Sequence, residues 1–155
     1  MPEANVPIHL ADEAAVADFA TRLAPALRAG GTIHLHGDLG AGKTTFARAL
    51  LRALGVGERI KSPTYSLIET YRVGELSAHH LDLYRIADPG ELDFLGLSEL
   101  AVDPSLLLVE WPERGGTALP APDLLLHFDY ATPGRTLRLE PRSSRGKEWV
   151  HSTAG

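Results

Sequence analysis

The residues with the clearest chemistry lie at 37–44. Gly37, Asp38, Leu39, Gly40, Ala41, Gly42, Lys43 and Thr44 match the spacing G-x-x-x-x-G-K-[ST], and Thr45 continues the run. Glycines at 37, 40 and 42 let successive backbone N–H groups curl inward around an anion. A helix that begins where the loop ends adds its positive pole at the same point. In this arrangement Lys43 reaches the β- and γ-phosphates of a nucleotide, and the Thr44 hydroxyl is a Mg²⁺ ligand. Lys occurs only at 43, 61 and 147, so a chance match that needs Lys at one fixed position is rare.

Two carboxylates sit where a hydrolytic role needs them. Glu110 follows the apolar run Leu106-Leu107-Leu108-Val109, at the end of what reads as a buried strand. At such a strand end in an open α/β sheet it lies near the phosphates, either holding a Mg²⁺-bound water or acting as the base. Asp82, in His80-Leu81-Asp82-Leu83-Tyr84-Arg85, is also near a strand end. It either shares that work or pairs with an arginine such as Arg85. Thr64, in Ser62-Pro63-Thr64-Tyr65, is either a switch-loop threonine that meets Mg²⁺ and the γ-phosphate or part of a proline turn. Trp111 either packs in the core or flanks the nucleotide. The seven His residues have no metal-like spacing, and His79 and His80 read as strand residues.

Composition narrows the nucleotide. The sole Asn is at position 5, so the chain has no N-K-x-D element with which to read guanine. It contains no Gln to orient a hydrolytic water in the manner of Ras-type enzymes. ATP is the expected nucleotide, with a carboxylate activating water. There is no Cys, which excludes disulfide frameworks and thiol nucleophiles. A net charge of -5 argues against nucleic-acid capture by bulk charge. No run approaches the ~20 apolar residues of a membrane span, and the first ten residues do not resemble a secretory signal. A cytoplasmic location is expected.

The elements that must position these groups are also readable. Asp12 caps a predicted helix from Glu13 to about Leu27, with Pro25 weakening its last turn. Thr32 to His36 reads as a strand, and Thr44 to Leu54 as a helix ended by Gly55. Tyr65–Tyr71 and Leu76–Tyr84 suggest a hairpin. A short helical stretch follows from Asp88 to Leu100, then a strand at 105–111. Gly115, Gly116 and Pro120 suggest loop. Asp123–Tyr130 and Arg135–Glu140 suggest a terminal hairpin around Thr132-Pro133-Gly134. The organisation expected is one domain over 1–141 and a polar, flexible tail over 142–155. Arg135, Arg138, Arg142, Arg145 and Lys147 form a locally basic segment that either meets RNA or a partner, or is a solvated hairpin and tail.

Together these motifs resemble the bacterial TsaE (YjeE) family. The resemblance is carried by Gly-Asp-Leu-Gly-Ala-Gly-Lys-Thr-Thr at 37–45, Ser-Pro-Thr-Tyr at 62–65 and His-Leu-Asp-Leu-Tyr-Arg at 80–85. Glu-Leu at 91–92 with Leu-Gly-Leu at 95–97, and Val-Glu-Trp-Pro-Glu-Arg at 109–114, complete it. It implies an α/β, P-loop NTPase-like three-layer fold: a mixed central sheet flanked by helices, with a C-terminal β-hairpin. It implies weak Mg²⁺-dependent ATP hydrolysis in tRNA threonylcarbamoyladenosine biosynthesis. The implied partner is a TsaB–TsaD heterodimer, with tRNA met indirectly through that complex. Carried over to this chain, Lys43 is the phosphate lysine, Thr44 the Mg²⁺ ligand and Thr64 a switch-loop residue. Asp82 and Glu110 are the acidic pair, and Trp111 lies near the nucleotide. Competing readings are a small-molecule kinase with the same loop and a non-hydrolysing adaptor that merely retains its nucleotide.

Overall fold

The computed structural model describes residues 7–57, 60, 67–94 and 104–153. Thr64 with its Ser-Pro-Thr-Tyr run, and the Leu-Gly-Leu run at 95–97, lie outside the described residues.

Seven strands form one sheet: β1 (Ile8–Leu10), β2 (Gly31–Gly37), β3 (Ile68–Val73), β4 (Leu76–Asp82), β5 (Ser105–Glu110), β6 (Leu124–Tyr130) and β7 (Arg135–Pro141). Their order is β1-β7-β6-β2-β5-β4-β3. The central strands β6, β2, β5 and β4 are mutually parallel, and the pairs β1–β7, β7–β6 and β4–β3 are antiparallel. The sheet is therefore mixed, as expected, and both expected hairpins form. β1 carries no signal strong enough to read in sequence; pairing with β7 makes it a strand.

Side chains alternate between faces along a strand, so β5 feeds two cores. Leu106 and Leu108 pack with α1 (Glu13–Leu23), α2 (Lys43–Leu54) and the C-terminal helix, through Phe19, Leu23, Phe46, Leu50 and Trp149. Leu107 and Val109 face the other way, onto Leu83, Ile86, Leu92 and Leu119. The second layer is built from the short helix α3 (Glu91–Phe94) and the 3-10 turns Pro112–Arg114 and Gly116–Ala118. A stretch read as loop thus contains two 3-10 turns. The expected helix from Asp88 to Leu100 is seen at Glu91–Phe94, and residues 95–103 lie outside the described residues.

Helix α1 is capped as predicted, with Asp12 Oδ1 accepting from Ala15 N–H at 2.9 Å. It ends at Leu23 rather than Leu27. Pro25 lacks the N–H that another α turn needs, and residues 24–29 tighten into a 3-10 helix that still buries Leu27.

Residues 142–153 are not a frayed tail. Ser144–Ser152 form a helix, α4, whose cap Ser143 accepts from Gly146 N–H at 3.0 Å. The Ser143 hydroxyl in turn donates to Asp123 Oδ1 at 2.7 Å. Trp149 is 2% exposed, and Gly31 leaves room for its ring where a Cβ would overlap it. Low apolar content hid this helix, because only Trp149 and its neighbour Val150 anchor it in the core. The basic segment is not one patch either: Arg142 pairs with Glu140 at 2.7 Å, and Arg135 turns toward the glycine loop.

Candidate functional site

Strand alternation assembles the site. Asp82 and Glu110 are register partners on neighbouring strands. His80 lies two residues before Asp82, so His80, Asp82 and Glu110 share the face that α2 covers. The glycine loop leaves the end of β2, two residues beyond Leu35, the register partner of Glu110. The C-terminal ends of β2, β4 and β5 therefore bring the loop and both carboxylates together at one edge, the place where open α/β sheets take ligands.

Helix α2 begins at Lys43, with Gly42 as its cap at φ +105°. Only glycine adopts that backbone readily, and it also leaves space that the Arg135 guanidinium fills. A cleft of about 420 Å³ opens against the loop and the start of α2. The cleft is lined by Leu39, Gly40, Gly42, Lys43, Thr44, Thr45, Asp82, Tyr84, Arg85, Glu110, Trp111 and Arg135. Of the loop residues, Leu39 is 64% exposed at the rim, whereas Ala41 is buried beneath it. The Asp38 carbonyl accepts from Ala41 N–H at 3.0 Å and closes the turn. Of the predicted residues, Leu39, Gly40, Gly42, Lys43, Thr44, Thr45, Asp82, Glu110 and Trp111 thus meet in one cleft; Gly37, Asp38 and Ala41 belong to the loop but do not line it, and Thr64 is outside the described residues.

Glu110 is not a solvated strand end: it is 2% exposed. The Thr44 hydroxyl donates to its Oε1 at 2.7 Å, and His80 Nε2 lies 2.6 Å from its Oε2. Both carboxylate oxygens are thereby held, as a buried carboxylate requires. Asp82 is half-buried, and its Oδ1 accepts from Tyr84 N–H at 3.1 Å. Burial pushes its carboxyl above the ordinary range and the Glu110 charge adds to that; the Tyr84 N–H opposes it.

Lys43 donates to the Gly37 carbonyl at 2.5 Å, and its Nζ lies 3.4 Å from the centre of the Trp111 ring. Burial lowers its pKa, and the Glu110 charge opposes the shift most strongly. Trp111 reaches this position through a left-handed backbone, φ +57°, which is uncommon for a bulky residue and recurs at functional sites. Its ring also meets Tyr84, with centroids 5.0 Å apart. Just beyond it, Glu113 lies 3.4 Å from His36 Nδ1, which ties the turn after Trp111 to the residue before Gly37.

These residues suit a Mg²⁺-nucleotide. A glycine loop of this form can take an anion, Thr44 and Glu110 offer hard oxygens, and Arg135 Nη1 is buried without a hydrogen-bond partner among the described residues. Sequence reading missed His80 and Arg135. The alternation that pairs His80 with Asp82 was available as a signal; no local signal marks Arg135.

The family described as threonylcarbamoyl adenosine biosynthesis protein TsaE matches residues 10–137. A Haemophilus influenzae protein named tRNA threonylcarbamoyladenosine biosynthesis protein TsaE is 42% identical over 118 residues, 76% of this chain and 75% of that one. Its namesake from a Nostoc species is 40% identical over 111 residues, 69% and 68% of the two chains. The crystal structure of Bacillus subtilis YdiB superposes with a TM-score of 0.78 at 24% identity, covering 99% of this chain and 97% of that one, and shares the fold. A family match spanning the glycine loop, the acidic pair and most of the sheet leaves one assignment: the chain belongs to the TsaE family.

Proposed function

We propose that this protein binds Mg²⁺-ATP at the 37–45 loop and hydrolyses it slowly. We further propose that this cycle serves tRNA threonylcarbamoyladenosine formation together with a TsaB–TsaD heterodimer. The observation that carries the reading is the Thr44–Glu110–His80 chain beside the loop, with Glu110 and His80 buried. A hydroxyl and a carboxylate held together at the mouth of such a loop are what a Mg²⁺-phosphate complex requires.

In this reading the loop N–H groups and Lys43 bind the β- and γ-phosphates, and Lys43 leaves the Gly37 carbonyl to do so. Thr44 and Glu110 would hold Mg²⁺, Glu110 directly or through a water. Held there, the ion would supply neutralisation of phosphate charge. Asp82 acts as the base: burial raises its pKa, which makes it a better proton acceptor than an exposed carboxylate. It takes a proton from the attacking water as the water oxygen bonds to the γ-phosphorus and the bond to the ADP oxygen breaks. Trp111 and Tyr84 wall the cleft against water.

The experiment is ATPase turnover with and without TsaB–TsaD and tRNA. Slow turnover alone and a clear change with partners are expected. Phosphoryl transfer to a metabolite without partners would replace this reading with a kinase. ATP retained intact for hours with partners present would replace it with an adaptor.

A further inference from the structure

The cleft has two flanks. Thr44, Asp82 and Glu110 lie on the side of β5 and β4, whereas Arg135 reaches in from β7, across β6, on the opposite side of β2. A nucleotide's phosphates form a linear chain. If Thr44 and Glu110 set the Mg²⁺ and γ-phosphate end, the cleft leaves room for the α-phosphate end on the β6–β7 flank, where Arg135 lines it.

Arg135 is well held at that flank. It is the cross-strand partner of Tyr130, and the Tyr130 hydroxyl donates to the Leu39 carbonyl. The hairpin end thus touches the glycine loop twice, once at Leu39 through Tyr130 and once at Gly42 through Arg135. A side chain at Gly42 would occupy the guanidinium's place, so the loop and the arginine are mutually fitted. Yet Arg135 Nη1 is buried with no acceptor among the described residues. A buried charged N–H without an acceptor is costly, and a phosphate oxygen supplies one. The planar fork of arginine matches phosphate geometry better than the point charge of lysine.

We propose that Arg135 is a nucleotide-binding residue, contributed by the C-terminal hairpin, that clasps the α-phosphate end of the bound adenine nucleotide. The assignment rests on the nucleotide reading above and adds the residue that holds the far end of the ligand. It also gives the hairpin a purpose: it closes the β6–β7 flank of a cleft whose chemistry lies on the other flank.

The test is titration calorimetry with Mg²⁺-ADP and a non-hydrolysable ATP analogue, on wild type, Arg135→Ala, Arg135→Lys and Lys43→Ala. Both ligands carry the α-phosphate. Arg135→Ala is therefore expected to weaken both by a similar factor, about tenfold, the scale of one charge-assisted hydrogen bond. Unchanged ADP affinity overturns the proposal, and unchanged ADP affinity with slowed hydrolysis moves Arg135 to the γ-phosphate instead. Arg135→Lys keeps the aliphatic stem over Gly42 and reads the same contact if the alanine variant does not fold. A loss of about threefold or more supports the assignment, and none overturns it. Should wild type and Lys43→Ala bind ADP equally, the nucleotide reading itself fails; should only Lys43→Ala lose binding, Arg135 alone is misassigned.

Discussion

Lys43 Nζ sits 3.4 Å from the centre of the Trp111 ring while donating to the Gly37 carbonyl. The ammonium is stored between an aromatic face and the first carbonyl of its own loop. A cation over an indole gains about 0.5–2 kcal/mol, enough to order the side chain without trapping it. In the proposed function, phosphates offer a full negative charge and are expected to draw the lysine from this resting place.

Nucleotide binding is thus expected to change Trp111 fluorescence, because the charge on the ring face moves. Trp149, buried beneath α4, contributes a constant background. Lys43→Ala is expected to remove the response and to lower nucleotide affinity about a hundredfold, on the scale of one or two buried charged hydrogen bonds. An unaltered spectrum on adding saturating ADP to wild type would detach Trp111 from the ligand.

In the proposed site, His80 is a positioning residue that is expected to act through Glu110. Its ring is fully buried, and with Nε2 2.6 Å from Glu110 Oε2 it fixes which carboxylate oxygen faces Thr44. His80→Leu leaves a buried carboxylate one donor short, a cost of about 1–3 kcal/mol, and is expected to slow hydrolysis about 10–100-fold. The Mg²⁺ concentration for half-maximal rate is expected to rise with it. His80→Gln returns an N–H at the position of Nε2 and is expected to recover part of both. A glutamine variant no better than leucine in Mg²⁺ dependence would reduce His80 to a packing residue.

As the proposed base, Asp82 is expected to set the acid limb of the rate. As a base it works ionised, so hydrolysis is expected to fall as pH drops through its pKa, which burial places above the ordinary carboxylate range. The same shift has a stability consequence of opposite sign. A carboxyl whose folded pKa is raised favours the fold when protonated, and that stabilisation is lost as pH rises through the folded pKa. Asp82→Asn is therefore expected to slow hydrolysis about a hundredfold or more. It is also expected to raise the melting temperature of the nucleotide-free protein at neutral pH and to flatten the acid limb. Thermal denaturation and a pH–rate profile check the two halves separately.

The C-terminal helix is structural. Trp149→Ala is expected to cost about 3–5 kcal/mol in urea unfolding, the range for truncating a buried aromatic. Removal of residues 143–155 is expected to cost at least as much, since it also frees Asp123 from Ser143. Wild-type stability after that truncation would restore the picture of a loose tail.

Sequence alone determined the parts of this protein whose chemistry is local. The glycine loop, its lysine and threonine, the Asp12 cap, the Gly55 stop and the buried strand ending on Glu110 are each set by residues within one or two turns of each other. Strand alternation also held the clue that His80 and Asp82 face the same way, though not that Glu110 lies opposite Asp82. Tertiary structure decided the rest. The register of β4 against β5 set Asp82 beside Glu110, and α2 packing on that face delivered the Thr44 hydroxyl to it. The antiparallel return of β7 carried Arg135 across to Gly42, from more than ninety positions away. A segment with too few apolar residues to announce a core became a helix because Gly31 left a slot for one indole. Such contacts join distant positions through burial, and no local pattern encodes them.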